Sequence, residues 1–260
     1  GMTLVTEKID ASNIIQMSEE ATSESSTFLG SSLMRSSINS ITIASDNIVP
    51  TTAIGSIDVS KNKDGTVMMW WFNSSTSNMY DVFIGSESGI TSAYNCYKMF
   101  SWLTNLKTID LTYLDTSTVS DMSYMFFSSK ATTLDVSNFD TSKVTNMSYM
   151  FSNSQATTLD LSNFDTSNVT NMEEMFYKSQ ATTIDVSSFN TSNVTNMKYM
   201  FGNTQTTTID VSKFNTSKVT NMYAMFYKSQ IITLDVSSFD TSNVTDMSYM
   251  FNNSIKLKTI

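Results

Sequence analysis

Histidine is absent from this 260-residue sequence, cysteine and proline occur once each, and glycine occurs seven times. Without histidine, the commonest general base and the commonest metal ligand at neutral pH are missing. The lone Cys96 excludes an internal disulfide framework and a cysteine-based zinc cluster. Lys and Arg number 15 against 24 Asp and Glu, a net charge of -9. That balance argues against nucleic acid, whose phosphates need a basic surface, and against anionic membrane surfaces. No apolar run approaches the roughly 20 residues of a transmembrane helix, so no membrane insertion is expected. No secretion signal is visible, but the opening Gly1-Met2 reads as a cloning remnant, so this carries no information about a leader. Nothing in the sequence calls for a cofactor, and no metal site is assigned: carboxylate oxygens on an aspartate column suit calcium, but each Asp supplies few ligands and no D-x-D-x-D-G loop is present.

What is present is methionine and phenylalanine, 19 and 16 of them, in a chain rich in Ser, Thr and Asn. A repeat accounts for both. Residues 134–158, "LDVSNFDTSKVTNMSYMFSNSQATT", are followed by "LDLSNFDTSNVTNMEEMFYKSQATT". Aligned on the Met-Phe pair, copies end at Phe126, Phe151, Phe176, Phe201, Phe226 and Phe251, each 25 residues apart, with a looser copy ending at Phe100. A fixed period in the range of 20 to 29 residues with an L-x-L core predicts a solenoid of the leucine-rich-repeat type.

Within one copy, Leu134 and Val136 alternate with Thr133, Asp135 and Ser137, the period of a short strand. "DTS" at 140–142 favours a turn. Val144, Met147, Met150 and Phe151 recur at i, i+3, i+6 and i+7, which predicts a short helical segment of two to three turns. The expected fold is therefore α/β: a right-handed, leucine-rich-repeat-like solenoid with a parallel sheet on one face, short helical segments on the other, and a β-rich N-terminal cap. One copy cannot bury enough apolar surface to offset the entropy of ordering its backbone, so the copies are expected to fold by stacking.

The phrase "LDVSNFDTSKVTNMSYMF" resembles the repeats of BspA-type leucine-rich-repeat surface proteins, a group that takes in mycoplasma and firmicute surface proteins of unknown function. "NMYDVFIGSESGITSAYNCYKMFSWLTNLKTIDL" (78–111) looks like the entry into such an array. The resemblance covers about 40–260. It implies a secreted or surface-anchored bacterial protein, an adhesin or binding module, with no common enzymatic activity to carry over. One departure is "ATTL" (131–134), where the family more often has Leu three residues before the strand Leu.

Three regions are expected. Residues 1–36, rich in Ser, Thr and Glu, read as a linker with at most one short helix. Residues 37–91 read as the cap, with strands near 38–45, 54–60, 65–72 and 78–85. They hold Trp70 and Trp71, which fall on opposite faces if in a strand. Residues 92–260 hold about six copies and an incomplete last one.

Stacking turns each repeat position into a column. Met147, Met172, Met197, Met222 and Met247 are core, and Cys96 falls in the same column as a buried thiol. Asn146, Asn171, Asn196 and Asn221 read as a structural ladder that satisfies backbone groups between coils. Ser117, Ser142, Ser167, Ser192, Ser217 and Ser242 suit turns or caps. Asp110, Asp135, Asp160, Asp185, Asp210 and Asp235 would line the open, concave face as a candidate binding strip. At about 4.8 Å these carboxylates repel by roughly 0.9 kcal/mol per pair in bulk water, which leads to the expectation that neutralising them raises stability. Variable positions lie on the helical edge, where Tyr149, Tyr199, Tyr223 and Tyr249 are candidate contacts.

The sequence thus favours a non-enzymatic extracellular module, a bacterial surface adhesin that contacts a host or matrix protein or glycan through its array. The alternative is a structural spacer that projects another domain from the cell surface. An enzyme is disfavoured, since repeated carboxylates on a shallow surface offer no pocket in which one pKa could be raised selectively.

Overall fold

The computed structural model describes residues 14–15, 21–87, 89–91 and 95–260. Seven strands are present among them: β1 (Ile38–Ala44), β2 (Gly55–Asp58), β3 (Met68–Asn73), β4 (Tyr80–Gly85), β5 (Ile90–Thr91), β6 (Thr108–Asp110) and β7 (Leu114–Asp115). Five of them form one mixed sheet in the order β2-β3-β4-β1-β6. The β2–β3 and β3–β4 pairs are antiparallel, whereas β1 pairs in parallel with both β4 and β6. Strands β5 and β7 form a second, two-stranded parallel ladder.

Side-chain alternation and turn chemistry account for the sheet. Ile41 and Ile43 of β1 and Val82 and Ile84 of β4 are buried on one face. The β2–β3 connection is closed by Asp58, whose carboxylate accepts the N–H groups of Ser60 and Gly65, both at 2.9 Å. Trp70 is buried and stacks on Phe83 at 5.9 Å, while Trp71 is half-buried and lies against Gly55. At Gly85 a side chain is impossible, because a Cβ would sit 1.7 Å from the Asp46 carbonyl oxygen. Residues 21–36, read above as linker, bury Phe28, Leu29, Leu33 and Arg35, and they end in a single 3-10 turn, Arg35–Ser37.

The expected α/β solenoid with helical segments is not what the chain forms. That one-turn element is the only helix among the described residues, and the extended sheet is mixed rather than a continuous parallel face. Beyond Asp115 consecutive copies are joined by isolated single-residue parallel bridges, such as Thr133↔Thr158 and Asn146↔Asn171. The segment taken for a helix is a train of turns. The N–H groups of Met150, Ser152 and Ser154 bond three residues back, to Met147, Tyr149 and Phe151. The intervening N–H groups of Met147, Tyr149, Phe151 and Asn153 bond forward, to the carbonyls of Asn171, Glu173, Met175 and Tyr177 in the next copy. Two residues per copy make this possible by adopting positive φ, Tyr149 (59°) and Asn153 (56°) in this one, the value required at the third position of a type II turn. The three-residue spacing of apolar side chains thus follows turns, not helical winding.

The same register packs the core. Phe100, Phe126, Phe151, Phe176, Phe201, Phe226 and Phe251 form one column of rings 5.7–5.9 Å apart and within 4–19° of parallel. Met122, Met147, Met172, Met197 and Met222 form a buried column beside it, headed by buried Cys96. At the N-terminal end of the stack, fully buried Arg35 donates from Nη1 to the carbonyls of Lys98 (3.2 Å), Met99 (3.1 Å) and Ser101 (2.8 Å). Its guanidinium lies over the Phe28 ring, and burial lowers its pKa to about 10, so it stays charged at neutral pH. At the other end Met247 is half-exposed, and the N–H groups of Met247, Tyr249 and Phe251 have no hydrogen-bond partner among the described residues.

Candidate functional site

Each copy closes three side-chain-capped turns, and these place the polar columns. In the first, Asp135 Oδ1 accepts the Ser137 N–H (3.0 Å) and hydroxyl (2.6 Å), and Asp160 accepts the same pair from Ser162. Asp110 accepts both groups from Thr112, and Asp185, Asp210 and Asp235 accept the N–H two residues on at 2.9 Å. The six aspartates do form an exposed strip, one per copy, with shallow grooves of about 490 Å³ at Asp110 and Asp135 and about 530 Å³ at Asp210 and Asp235.

The repulsion argument does not survive this geometry. The Ser hydroxyl and then the backbone N–H hold the Asp135, Asp160, Asp185, Asp210 and Asp235 carboxyls below the ordinary carboxylate range. The opposing influence of a neighbouring Asp on Asp160, Asp185 and Asp235 is smaller than either hydrogen bond. Among the described residues, no group of three or more carboxylate or thiol side chains is placed to hold a metal ion.

In the second turn the N–H groups of Ser142, Ser167, Ser192 and Ser217 go to Asp140, Asp165, Asn190 and Asn215. In the third, Asn146, Asn171, Asn196 and Asn221 accept the N–H two residues on, at 2.9–3.0 Å. The asparagine oxygens therefore cap their own turns and do not bridge coils; the backbone makes the bridges at these positions.

Buried threonines bridge copies twice over, while Asn163, Asn168, Asn193 and Asn243 each donate Nδ2 to a carbonyl of the preceding copy. Buried Thr141 donates from Oγ1 to the Asp165 carbonyl (2.9 Å) and accepts the Asp165 N–H (2.9 Å). Thr166 makes the same pair with Asn190, and Thr191 with Asn215. Sequence reasoning took "DTS" only as a turn. The signal was the unvarying Thr between a variable Asp or Asn and Ser, at Thr116, Thr141, Thr166, Thr191 and Thr216.

The tyrosine candidates gather along one edge, Tyr149, Tyr199 and Tyr249 on a column with positive φ and Tyr223 one residue before it. Tyr149 stacks on Tyr124 at 4.3 Å, and Tyr124 meets Tyr97 edge-on at 5.9 Å. Further along, Tyr199 contacts Tyr177, Tyr223 and Tyr227 at 5.2–5.9 Å, and Tyr223 reaches Tyr249 at 5.6 Å. Lysines cover several of the rings, with Lys98 over Tyr97 and Tyr124, Lys178 over Tyr177 and Lys228 over Tyr227. Between the two clusters lies Glu173. It accepts the Tyr149 hydroxyl (3.2 Å) and Asn196 Nδ2 (3.2 Å) and pairs with Lys198 (3.3 Å). Burial, followed by the Glu173 charge, raises the Glu174 pKa; burial and then Tyr223 push Tyr199 up to about 12. Lys198, Tyr199, Tyr223 and Asp246 line a shallow cleft of about 430 Å³.

Fold and surface together define a repeat protein: stacked 25-residue copies whose turns display one residue type per column. Residues 94–210 and 179–259 match the family described as "Mycoplasma protein of unknown function, DUF285", and the chain belongs to that family. No curated protein and no solved structure matches the chain.

Proposed function

We propose that the protein is a non-enzymatic, cell-surface binding module that grips a host or matrix protein through its tyrosine edge. The observation that carries this reading is the concentration of tyrosines on one edge. Tyr97, Tyr124, Tyr149, Tyr177, Tyr199, Tyr223, Tyr227 and Tyr249 connect into two clusters flanked by Lys and Glu. Tyrosine gives large amphipathic contact area at low entropic cost, and it is enriched where proteins meet. The resemblance of the repeats to BspA-type surface proteins and the membership in a mycoplasma family support an extracellular placement. The lowered pKa values of the aspartate strip support a non-catalytic role, because a carboxylate general acid needs its pKa raised.

The second reading is a spacer. The unbroken phenylalanine column and the bonds between every pair of copies favour it, since they make the array stiff. Binding to immobilised matrix proteins and mucins, with calcium and with chelator, separates the two. A saturable hit that weakens in Tyr199→Ser/Tyr223→Ser supports the module. A blank panel from folded protein, or a hit indifferent to both tyrosines, moves the function to the spacer.

A further inference from the structure

Two clefts adjoin where the N-terminal sheet passes into the repeats. The larger, about 380 Å³, is lined by Asn39, Met79, Leu106, Lys107, Lys130 and Gln155 among others. The smaller, about 250 Å³, is lined by Trp102, Thr104 and Asn153 and shares Lys130 and Gln155 with the first. Their combined size is in the range of small-molecule sites. The chain carries 24 acidic residues against 15 basic ones, yet no acidic side chain lines either cleft. Each of the other three clefts described above carries at least one Asp.

The lining groups define what would fit. Lys130 Nζ has no hydrogen-bond or ion-pair partner among the described residues, and Lys107 Nζ has only Thr76 Oγ1 at 3.3 Å. Both are available to an anion. Asn39 is buried at Oδ1, which has no partner, while its Nδ2 is committed to Asp81 at 2.8 Å. That oxygen is shielded from the cleft, but exposed Asn105 and Asn153 donate Nδ2 to the Ser36 carbonyl and to Ser128 Oγ and leave their Oδ1 acceptors to a ligand. A simple anion is acceptor-only and satisfies the lysines but not these oxygens. Trp102 is held edge-on to Phe127 at 5.1 Å and offers a ring surface beside Asn153 and Gln155. Negative charge, hydroxyl or amide donors and an apolar C–H face occur together in an acidic sugar.

We propose that the two clefts form one groove for an acidic oligosaccharide. Lys107 and Lys130 take its carboxylate or sulfate, Asn105 accepts from a hydroxyl or amide, and Trp102 packs against a sugar face. This site shares no residue with the tyrosine edge, so either can fail alone.

The test is calorimetric titration of the full chain with four probes: a hyaluronan tetrasaccharide, a chondroitin sulfate tetrasaccharide, neutral chitotetraose and tetraglutamate. Saturable binding of at least one acidic sugar is expected, and which of the two is tighter tells carboxylate from sulfate. Binding should weaken about tenfold or more in Lys130→Ala or Lys107→Ala, both exposed positions. It should weaken as salt rises and stay unchanged in Tyr199→Ser/Tyr223→Ser. Four results would each overturn the proposal: no binding of either acidic sugar, equal binding of chitotetraose, equal binding of tetraglutamate, or lysine variants with unchanged melting that bind like the parent.

Discussion

Arg35 Nη1 donates to the carbonyls of Met99 and Ser101, at 3.1 and 2.8 Å. One copy further on, the corresponding carbonyls of Met125 and Phe127 accept the N–H groups of Phe100 and Trp102, at 2.9 and 2.8 Å. One side chain thus does for the first copy what a preceding copy does for every other. Arg35→Met retains the apolar stem and removes the donors. It should destabilise the protein by about 2 kcal/mol or more, because the orphaned carbonyls stay buried while the relieved burial of the charge offsets only part of the loss. The shift in urea midpoint measures it; an unchanged midpoint would show that water serves those carbonyls equally well.

Thr166→Val tests the threonine ladder. The swap keeps the shape but strands the N–H and C=O of Asn190, both bonded to Thr166 Oγ1. A loss of about 1–3 kcal/mol is expected. Exposed Thr241 makes no such bond, and Thr241→Val should leave thermal unfolding where it was.

Acid should destabilise the aspartate turns. Their folded-state pKa values lie below the unfolded ones, so the unfolded chain binds protons first as pH falls. The stability they contribute is complete above the ordinary carboxylate value near 4 and is lost below it. Glu174, raised by burial, acts in the opposite sense and is outnumbered. Urea midpoints should hold steady from pH 7 to about 5 and drop below about 4. Asp160→Asn should be close to neutral, since Asn190 and Asn215 cap the equivalent second turns, whereas Asp160→Ala should lower the melting temperature. A rise for Asp160→Ala would restore the repulsion argument.

The phenylalanine column predicts a gradient with position. Phe176→Ala opens a cavity between rings 5.9 and 5.7 Å away on either side and should cost about 3–5 kcal/mol. Phe251 has a ring on one side and is partly exposed, so Phe251→Ala should cost clearly less. Equal losses would mean that the copies do not depend on ring-to-ring packing.

The period, the Phe and Met core columns, Cys96 in the methionine column and the strands before Gly85 were legible, because each follows from burial spacing; Met247, expected in the core, is the exception and is half-exposed. The helical segments were not. Val144, Met147 and Met150 bury at three-residue intervals in either a helix or a train of turns, and what decides is the φ of Tyr149 and Asn153, which a tyrosine does not advertise. The six aspartates are exposed, one per copy, but their electrostatics were misjudged. Charge spacing can be read from a repeat, whereas the Ser two residues on acts only once the turn exists. Arg35 and Lys130 were missed because each is a single departure, Arg35 lying before the repeat and Lys130 standing where later copies carry Gln155, Gln180, Gln205 and Gln230, and periodicity gives no weight to a residue that occurs once.

The turn-train bonds between copies all run one way, from N–H groups of one copy to carbonyls of the next. Such a stack resists sideways shear collectively but meets a pull along its length one layer at a time. Under such a pull each released copy of 25 residues would pay out about 85 Å of slack. Lengthening would come in steps of one copy, each step leaving the remaining layers stacked.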